Sequence, residues 1–217
     1  MPSDRDYRLA NGKKVSGVTT IDNNIGWGKE GMIYNASRLG LEGKDYKEVW
    51  GKEMTSGSVA HALIEADLKG YLKKYEEEEL PKIDPEIKEK AIGGWTSWDD
   101  WRKRMKFTLF KSELKLVSEK YKFGGTIDFI PYINDQLCIF DFKTGAVYET
   151  ALLQTSAYRE LAKENGIETP GGIHILQLGK EDASFKHYFY QSLPEAWEAF
   201  LAALKLHELH PKLKKMI

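Results

Sequence analysis

The sequence predicts an α/β fold with a helical first half and a strand-rich second half, on three observations. Thr126 to Ile133 and Leu137 to Phe142 alternate with period two and are separated by Asn134-Asp135, the pattern of a β-hairpin. Ala60, Leu63, Ile64 and Leu68 recur at helical spacing upstream of it. The elements then run in the order helices, three strands, a helix, two strands and a helix.

Along the chain, a polar start with a turn at Asn11-Gly12 leads to Val18-Thr19-Thr20-Ile21, which opens the ordered part. Lys29 to Leu39 has helical spacing ended by Gly40, and Ser56 or Gly57 begins a stronger helix in which Gly70 predicts a kink or an early end. The acidic run Glu76-Glu77-Glu78-Glu79 reads as solvated helix, and Pro81 marks a break. Pro85 to Ile92 is helical, Gly93-Gly94 interrupts it, and Ser97 is placed as the N-cap of a new helix reaching about Lys106. Trp95, Trp98 and Trp101 read as anchors of that helix to the core rather than as platforms for bases.

Strands are expected over Phe107 to Ser118, Tyr121 to Ile133 and Gln136 to Lys143, followed by a helix from Glu149 to Glu164 closed by Asn165-Gly166. Ile173 to Leu178 and Phe185 to Gln191 supply two more strands, and Pro194 to His207 a terminal helix with proline at its start. The 217 residues, 41% of them hydrophobic, suffice for one domain with a substantial core: residues 1–106 mainly helical, 107–217 the sheet and last helix.

A net charge of -1 gives no global signal for a polyanionic partner, but Trp101 to Lys122 is locally basic through Arg102, Lys103, Arg104 and further lysines. That segment is either a flank for a phosphate backbone or a solvated charged face. Cys138 is the only cysteine, which excludes an internal disulfide and a four-cysteine iron–sulfur cluster; it reads as core. The first residues lack the apolar run of a signal peptide and no later run reaches membrane-spanning length, so a cytoplasmic setting is expected, in a bacterium or a phage-infected cell.

The chemistry is concentrated at the hairpin. Asp128 and Asp141 become cross-strand neighbours, and Lys143 shares a face with Asp141 while Phe142 turns into the core. Two hard oxygen ligands suit Mg²⁺ or Mn²⁺ with positions left for water and phosphate oxygens, and an ammonium beside them can orient that water. Glu113, between Lys111 and Lys115, reads alone as a surface ion-pair member, and His61 alone as a bystander on its helix. Gln154 and Tyr158, one turn apart on the helix after Lys143-Thr144-Gly145, present one face back over the carboxylates.

Taken in order, Gly57-x-x-x-His61, Glu113, Gly125-Thr126-x-Asp128, Asp141-x-Lys143-Thr144-Gly145 and Gln154-x-x-x-Tyr158 resemble the PD-(D/E)XK nuclease superfamily, RecB-type branch. Val18 to Ile21, Lys29 to Ala36 and Gly57 to Glu65 further resemble phage exonucleases related to the mitochondrial genome maintenance exonuclease. The resemblance implies a central mixed β-sheet flanked by helices, a restriction-endonuclease-like core with an N-terminal helical elaboration. It implies a metal site made by His61, Asp128, Asp141 and the Phe142 carbonyl, with Glu113 at an additional acidic position. Lys143 would align the attacking water, and Gln154, Tyr158, Ser58 and Thr20 would serve the substrate. Ser58 stands where the family often has threonine, and the acidic Asp22 interrupts a segment that is usually apolar.

The implied activity is a Mg²⁺- or Mn²⁺-dependent deoxyribonuclease without an iron–sulfur cluster, an exonuclease on linear single-stranded DNA with a free end, in DNA repair and recombination. Replication or recombination proteins are the expected partners, with no role at a membrane. A duplex-resecting exonuclease or structure-selective endonuclease would use the same site. An inactive nucleic-acid-binding module is the alternative of another class, and its usual mark, a broken motif, is absent: Asp128, Asp141 and Lys143 are all present.

Overall fold

Strand β4 (Phe123–Ile133) is buried through its first nine residues and organises the sheet of this computed structural model, which describes residues 6–27 and 29–216. The start of the chain, where no signal-like run is expected, therefore lies largely outside the described residues. β3 (Thr108–Val117) pairs antiparallel along one edge of β4. The short β5 (Gln136–Leu137) and β6 (Ile139–Lys143) pair antiparallel with it as the second arm of the expected hairpin. β7 (Ile173–Leu178) runs parallel to β6, and β8 (Phe185–Tyr190) antiparallel to β7. This is a mixed sheet, because the crossover between β6 and β7 is helix α6 (Glu149–Glu164), which returns the chain to the same end.

Ordered structure begins earlier than the sequence suggests. β1 (Tyr7–Arg8) and β2 (Lys14–Gly17) form a hairpin turning at Gly12, whose φ of +80° suits glycine, and β2 pairs parallel with β4 at Phe123 and Gly124. The N-terminal part is thus not purely helical. α1 (Val18–Asp22) follows, and α2 (Lys29–Leu41) runs through Gly40 and stops before Gly43, where φ is +72°. α3 (Tyr46–Leu68) starts ten residues before Ser56, capped by the Asp45 side chain on the Lys47 amide, and Gly70 at φ +77° follows its end. α4 (Leu72–Glu78) carries the acidic run on an exposed helix.

Gly93-Gly94 does not break the next helix. α5 (Pro85–Arg104) is continuous, and Ser97 lies buried within it, donating to the Gly179 carbonyl at 2.7 Å rather than capping. These glycines serve close approach: a Cβ at Gly93 would stand 1.8 Å from the Lys180 carbonyl oxygen, and one at Gly94 3.2 Å from Ala60 Cβ. α7 (Pro194–Lys214) likewise exceeds its expected end and carries Pro211 inside it.

Helices cover both faces of the sheet. α1, α6 and α7 bury Val18, Ile21, Leu153, Ala157, Leu161 and Phe200 against Phe123, Ile127, Ile130 and Ile139. α3 and α5 bury Ile64, Trp98 and Trp101 against Phe129, Phe140 and Phe142. The tryptophans are core anchors, as expected: Trp98 stacks on Trp101 with ring centroids 5.1 Å apart. The basic stretch at the end of α5 is paired within its own helix, since Arg102 and Lys103 meet Asp99 and Arg104 meets Asp100. It therefore presents a balanced face, not a bare cationic stripe.

Candidate active site

Residues of β4 should alternate between the two faces, yet Ile127 lies in the core under α6 and Phe129, two residues later, in the core under α5. The strand changes face at Asp128, which leaves that carboxylate at the seam, reachable from both sides. In β3, Glu113 lies between the register pairs Ser112↔Phe129 and Leu114↔Ile127, opposite Asp128, and has φ +49°. That left-handed conformation is uncommon for a side-chain-bearing residue and re-aims the glutamate out of simple alternation with Lys111 and Lys115. Glu113 is thereby brought to the site rather than left on a polar edge.

The register Phe129↔Phe140 sets Asp128 opposite Asp141, but the regular β4–β6 ladder ends at that pair. Beyond it the Phe142 amide donates to Asp128 Oδ2 at 2.9 Å, so a side chain takes the place of a strand partner. His61 reaches over from α3, its Nδ1 3.8 Å from Asp128 Oδ2 and its Nε2 3.1 Å from the Phe142 carbonyl oxygen. Gly57 makes this approach possible, because a Cβ there would lie 2.8 Å from Thr144 Oγ1.

Ligand atoms of His61, Glu113 and Asp128 all lie within 4.8 Å of one another. An imidazole, two carboxylates and the adjacent Phe142 carbonyl form a donor set that fits a divalent cation such as Mg²⁺ or Mn²⁺. Asp141 stands beside this cluster but is turned to Lys143, whose Nζ is 2.6 Å from Asp141 Oδ2. Burial at 1% exposure raises the Asp141 carboxyl to about 6, with the Lys143 charge opposing and the Asp128 charge adding to the rise.

Lys143 also donates to Gln154 Oε1 at 2.8 Å, and Gln154 Nε2 donates to the Tyr158 hydroxyl oxygen at 2.6 Å. The reversed amide would set an NH₂ against the ammonium, so Lys143 fixes the orientation of Gln154. Tyr158 is buried, which pushes its phenol well above the ordinary value, so it keeps its proton for a further acceptor. Its ring fits because residue 125 is glycine: a Cβ there would lie 2.8 Å from Tyr158 Cε1.

Ser58 and Thr20 are exposed on their helices. Ser58 Oγ donates to the Met54 carbonyl, and the Thr20 carbonyl accepts from Asn24. Among the described residues, neither is hydrogen-bonded to the cluster. Asp22, in contrast, is buried, which raises its carboxyl to about 7 with the Lys143 charge opposing the rise. The sequence marks it only as an acidic residue in an apolar segment; its burial depends on how α1 lies against α6, α7 and β4.

The sequence profile of the PD-(D/E)XK nuclease superfamily matches residues 38–214. Among solved structures, a protein from Eubacterium rectale assigned by name as an exonuclease is similar at 12% identity and a TM-score of 0.46, over 70% of this chain and 68% of that one. None of the curated proteins compared matches. With the profile covering all three sheet-core carboxylates, the lysine and the helix behind it, the chain belongs to the PD-(D/E)XK nuclease superfamily.

Proposed function

We propose that the chain is a metal-dependent DNA exonuclease of the RecB-type branch, acting on linear single-stranded DNA and allied to the phage exonucleases its N-terminal segments resemble. The observation that carries this reading is the convergence of the His61–Glu113–Asp128 donor cluster with an Asp141-held lysine at one end of the sheet. His61, Asp128, Glu113, Asp141 and the Phe142 carbonyl would hold Mg²⁺ or Mn²⁺. A bound cation supplies Lewis acidity toward the phosphate and lowers the pKa of coordinated water.

The chain's own residues then divide the work. Lys143, ion-paired with Asp141 and hydrogen-bonded to Gln154, presents its other N–H groups to the attacking water or a phosphate oxygen. Gln154 keeps the ammonium from swinging away, and Tyr158 offers its hydroxyl proton to a phosphate oxygen. The exposed Trp27, Met32, Ile33 and Tyr34, on and just before α2, offer apolar surface to unpaired bases, which favours a single strand over a duplex. Among the described residues no helix is long and apolar enough to cross a membrane.

The test is digestion of end-labelled linear single-stranded DNA beside linear duplex and circular single strands, with Mg²⁺, Mn²⁺ or EDTA, comparing wild type with Lys143→Ala. Metal-dependent loss of the linear single strand alone supports the reading, and the label gives polarity. Cutting of circles makes the protein an endonuclease; preference for duplex ends makes it a resecting enzyme. DNA binding without cleavage of any substrate overturns the enzyme reading.

A further inference from the structure

The two halves of α3 lie in different surroundings. From Tyr46 to Thr55 none of its residues is fully buried, whereas burial begins at Ser56 and continues through Val59, Ala60, Leu63 and Ile64. The exposed half follows α2, which buries only Leu39 and leaves Met32, Ile33, Tyr34 and Leu41 more than half exposed. α2 and the first half of α3 thus form an arm, and His61 lies in the half of α3 that packs on the body.

The boundary between the halves is held by a cation from the sheet. Lys180, just past the end of β7, keeps only 13% of its side chain exposed. It donates to Glu53 Oε2 at 2.6 Å, to the Glu53 carbonyl at 3.2 Å and to Ser56 Oγ at 3.1 Å. All three N–H groups of its ammonium are therefore engaged by one turn of α3. Lys90 of α5 takes the other carboxylate oxygen, Glu53 Oε1, at 2.5 Å. The backbone beneath Lys180 is itself fixed, because the Gly179 carbonyl accepts from Ser97 of α5 and the Gly179 amide donates to the Ser184 carbonyl at 2.8 Å. Glu53 is thus tied to the sheet and to α5 at one point.

His61 lies about 12 Å of helix beyond Glu53. Gly57, between them, already runs so close to the β6 end that a Cβ there would meet Thr144 Oγ1 at 2.8 Å. Along a rigid helix, a slide of the Glu53 turn is a slide of the imidazole. A buried ion pair is often no more stabilising than apolar residues of the same volume, and what its directional bonds add is register. We propose that Lys180 is a positioning residue: through Glu53 and Ser56 it holds α3 in the register that keeps His61 at Asp128 and the Phe142 carbonyl, whatever the arm does. The inference rests on the nuclease reading only in taking His61 for a metal ligand.

The test uses Lys180→Met, which keeps an unbranched chain and removes the charge, and Glu53→Gln, which leaves one amide oxygen for two lysines. The first readout needs no metal: the His61 ring signals of ¹⁵N-histidine-labelled protein, assigned by their loss in His61→Ala. Lys180→Met should displace them, Glu53→Gln should displace them less, and the signals of His207 and His210 on α7 should stay. The second is Mn²⁺ binding followed by the resonance of the free ion, whose midpoint should weaken by about three- to tenfold in Lys180→Met.

A lowered melting temperature with unmoved His61 signals and an unmoved Mn²⁺ midpoint is the result of a merely structural clamp and would overturn the inference. If Lys180→Met does not fold, Glu53→Gln decides by the same two readouts. A wild type that binds no Mn²⁺ removes the metal reading instead, and the metal-free His61 signals then decide this one. A wild type that binds Mn²⁺ but cleaves no DNA sinks the exonuclease reading and leaves both readouts in force.

Discussion

Asp128 accepts the backbone N–H of Phe142 at 2.9 Å, so one carboxylate both joins the donor cluster and closes the β4–β6 junction where regular pairing stops. Structure and chemistry at this position can be separated. Asp128→Asn keeps an oxygen for the amide and is expected to fold like the wild type without cleaving DNA. Asp128→Ala leaves a buried N–H unpaired and should lose a further ~1–3 kcal/mol in urea unfolding. Equal stability of the two variants would show that the bond contributes nothing.

Lys143→Ala should lower single-turnover cleavage by about 10²–10⁴ while leaving the melting curve cooperative. Gln154→Ala should fall between it and wild type, about tenfold down, because the amide holds the lysine but does not replace it. Anisotropy with labelled DNA separates the two effects, since binding should change less than turnover in both variants. Wild-type turnover in Gln154→Ala would remove the lysine-holding role.

Divalent cations should raise the melting temperature of the wild type, because binding to the folded donor set alone shifts the equilibrium by mass action. His61→Ala and Asp128→Asn should each reduce that increment for Mn²⁺, and chelation should abolish it. A melting curve that ignores Mg²⁺ and Mn²⁺ over millimolar concentrations would count against the cluster as a metal site.

Gly125→Ala should destabilise the protein by ~1–3 kcal/mol, because its Cβ meets buried Tyr158 and Leu161 at 2.8 Å. Gly93→Ala should be worse, since the obstruction at 1.8 Å is the Lys180 backbone, which cannot rotate aside. Gly145→Ala is the control, with nothing within 4 Å of the added carbon. Chemical denaturation ranks the three.

Away from the site, His174 Nδ1 and His187 Nε2 lie 2.8 Å apart, and His174 stacks on Phe140 with centroids at 4.4 Å. Burial pushes His174 down from 6.5 to about 4 and lowers His187 as well. The unfolded chain takes up these protons first, so stability present above pH 6.5 is lost as pH falls towards 4, by about 3 kcal/mol or less for His174. Asp22, raised by burial from 3.8 to about 7, instead costs stability as pH rises over that range, so the two opposing slopes must be separated by variants. His174→Phe should flatten the acid limb of a melting-temperature profile between pH 4 and 7, and an unchanged limb would exclude the pair as its source.

The strand hairpin, α6 with its Asn165-Gly166 stop, and the facing of Asp141 and Lys143 were legible because each rests on local periodicity or turn chemistry within a few residues. Helix bounds were misread where glycine acts in packing. Gly93 and Gly94 look like breakers in sequence, yet they lie in α5 because Lys180 and Ala60, distant in the chain, need the space. β1 and β2 were missed because short strands carry little periodicity and gain stability from Tyr7 and Val15 packing into the fold.

The sequence by itself determined the α/β order of elements and the residue types of a metal-dependent phosphodiesterase site, since spacing along one strand and one helix face follows from backbone geometry alone. Only the tertiary structure decided that Glu113 joins Asp128 and His61, through a left-handed backbone and a strand that changes face. Only it buried Asp22, an acidic residue in an apolar segment of the sequence. Those positions depend on how helices and strands far apart in the chain close over one another, and no local pattern encodes which buried carboxyl group is left without a partner.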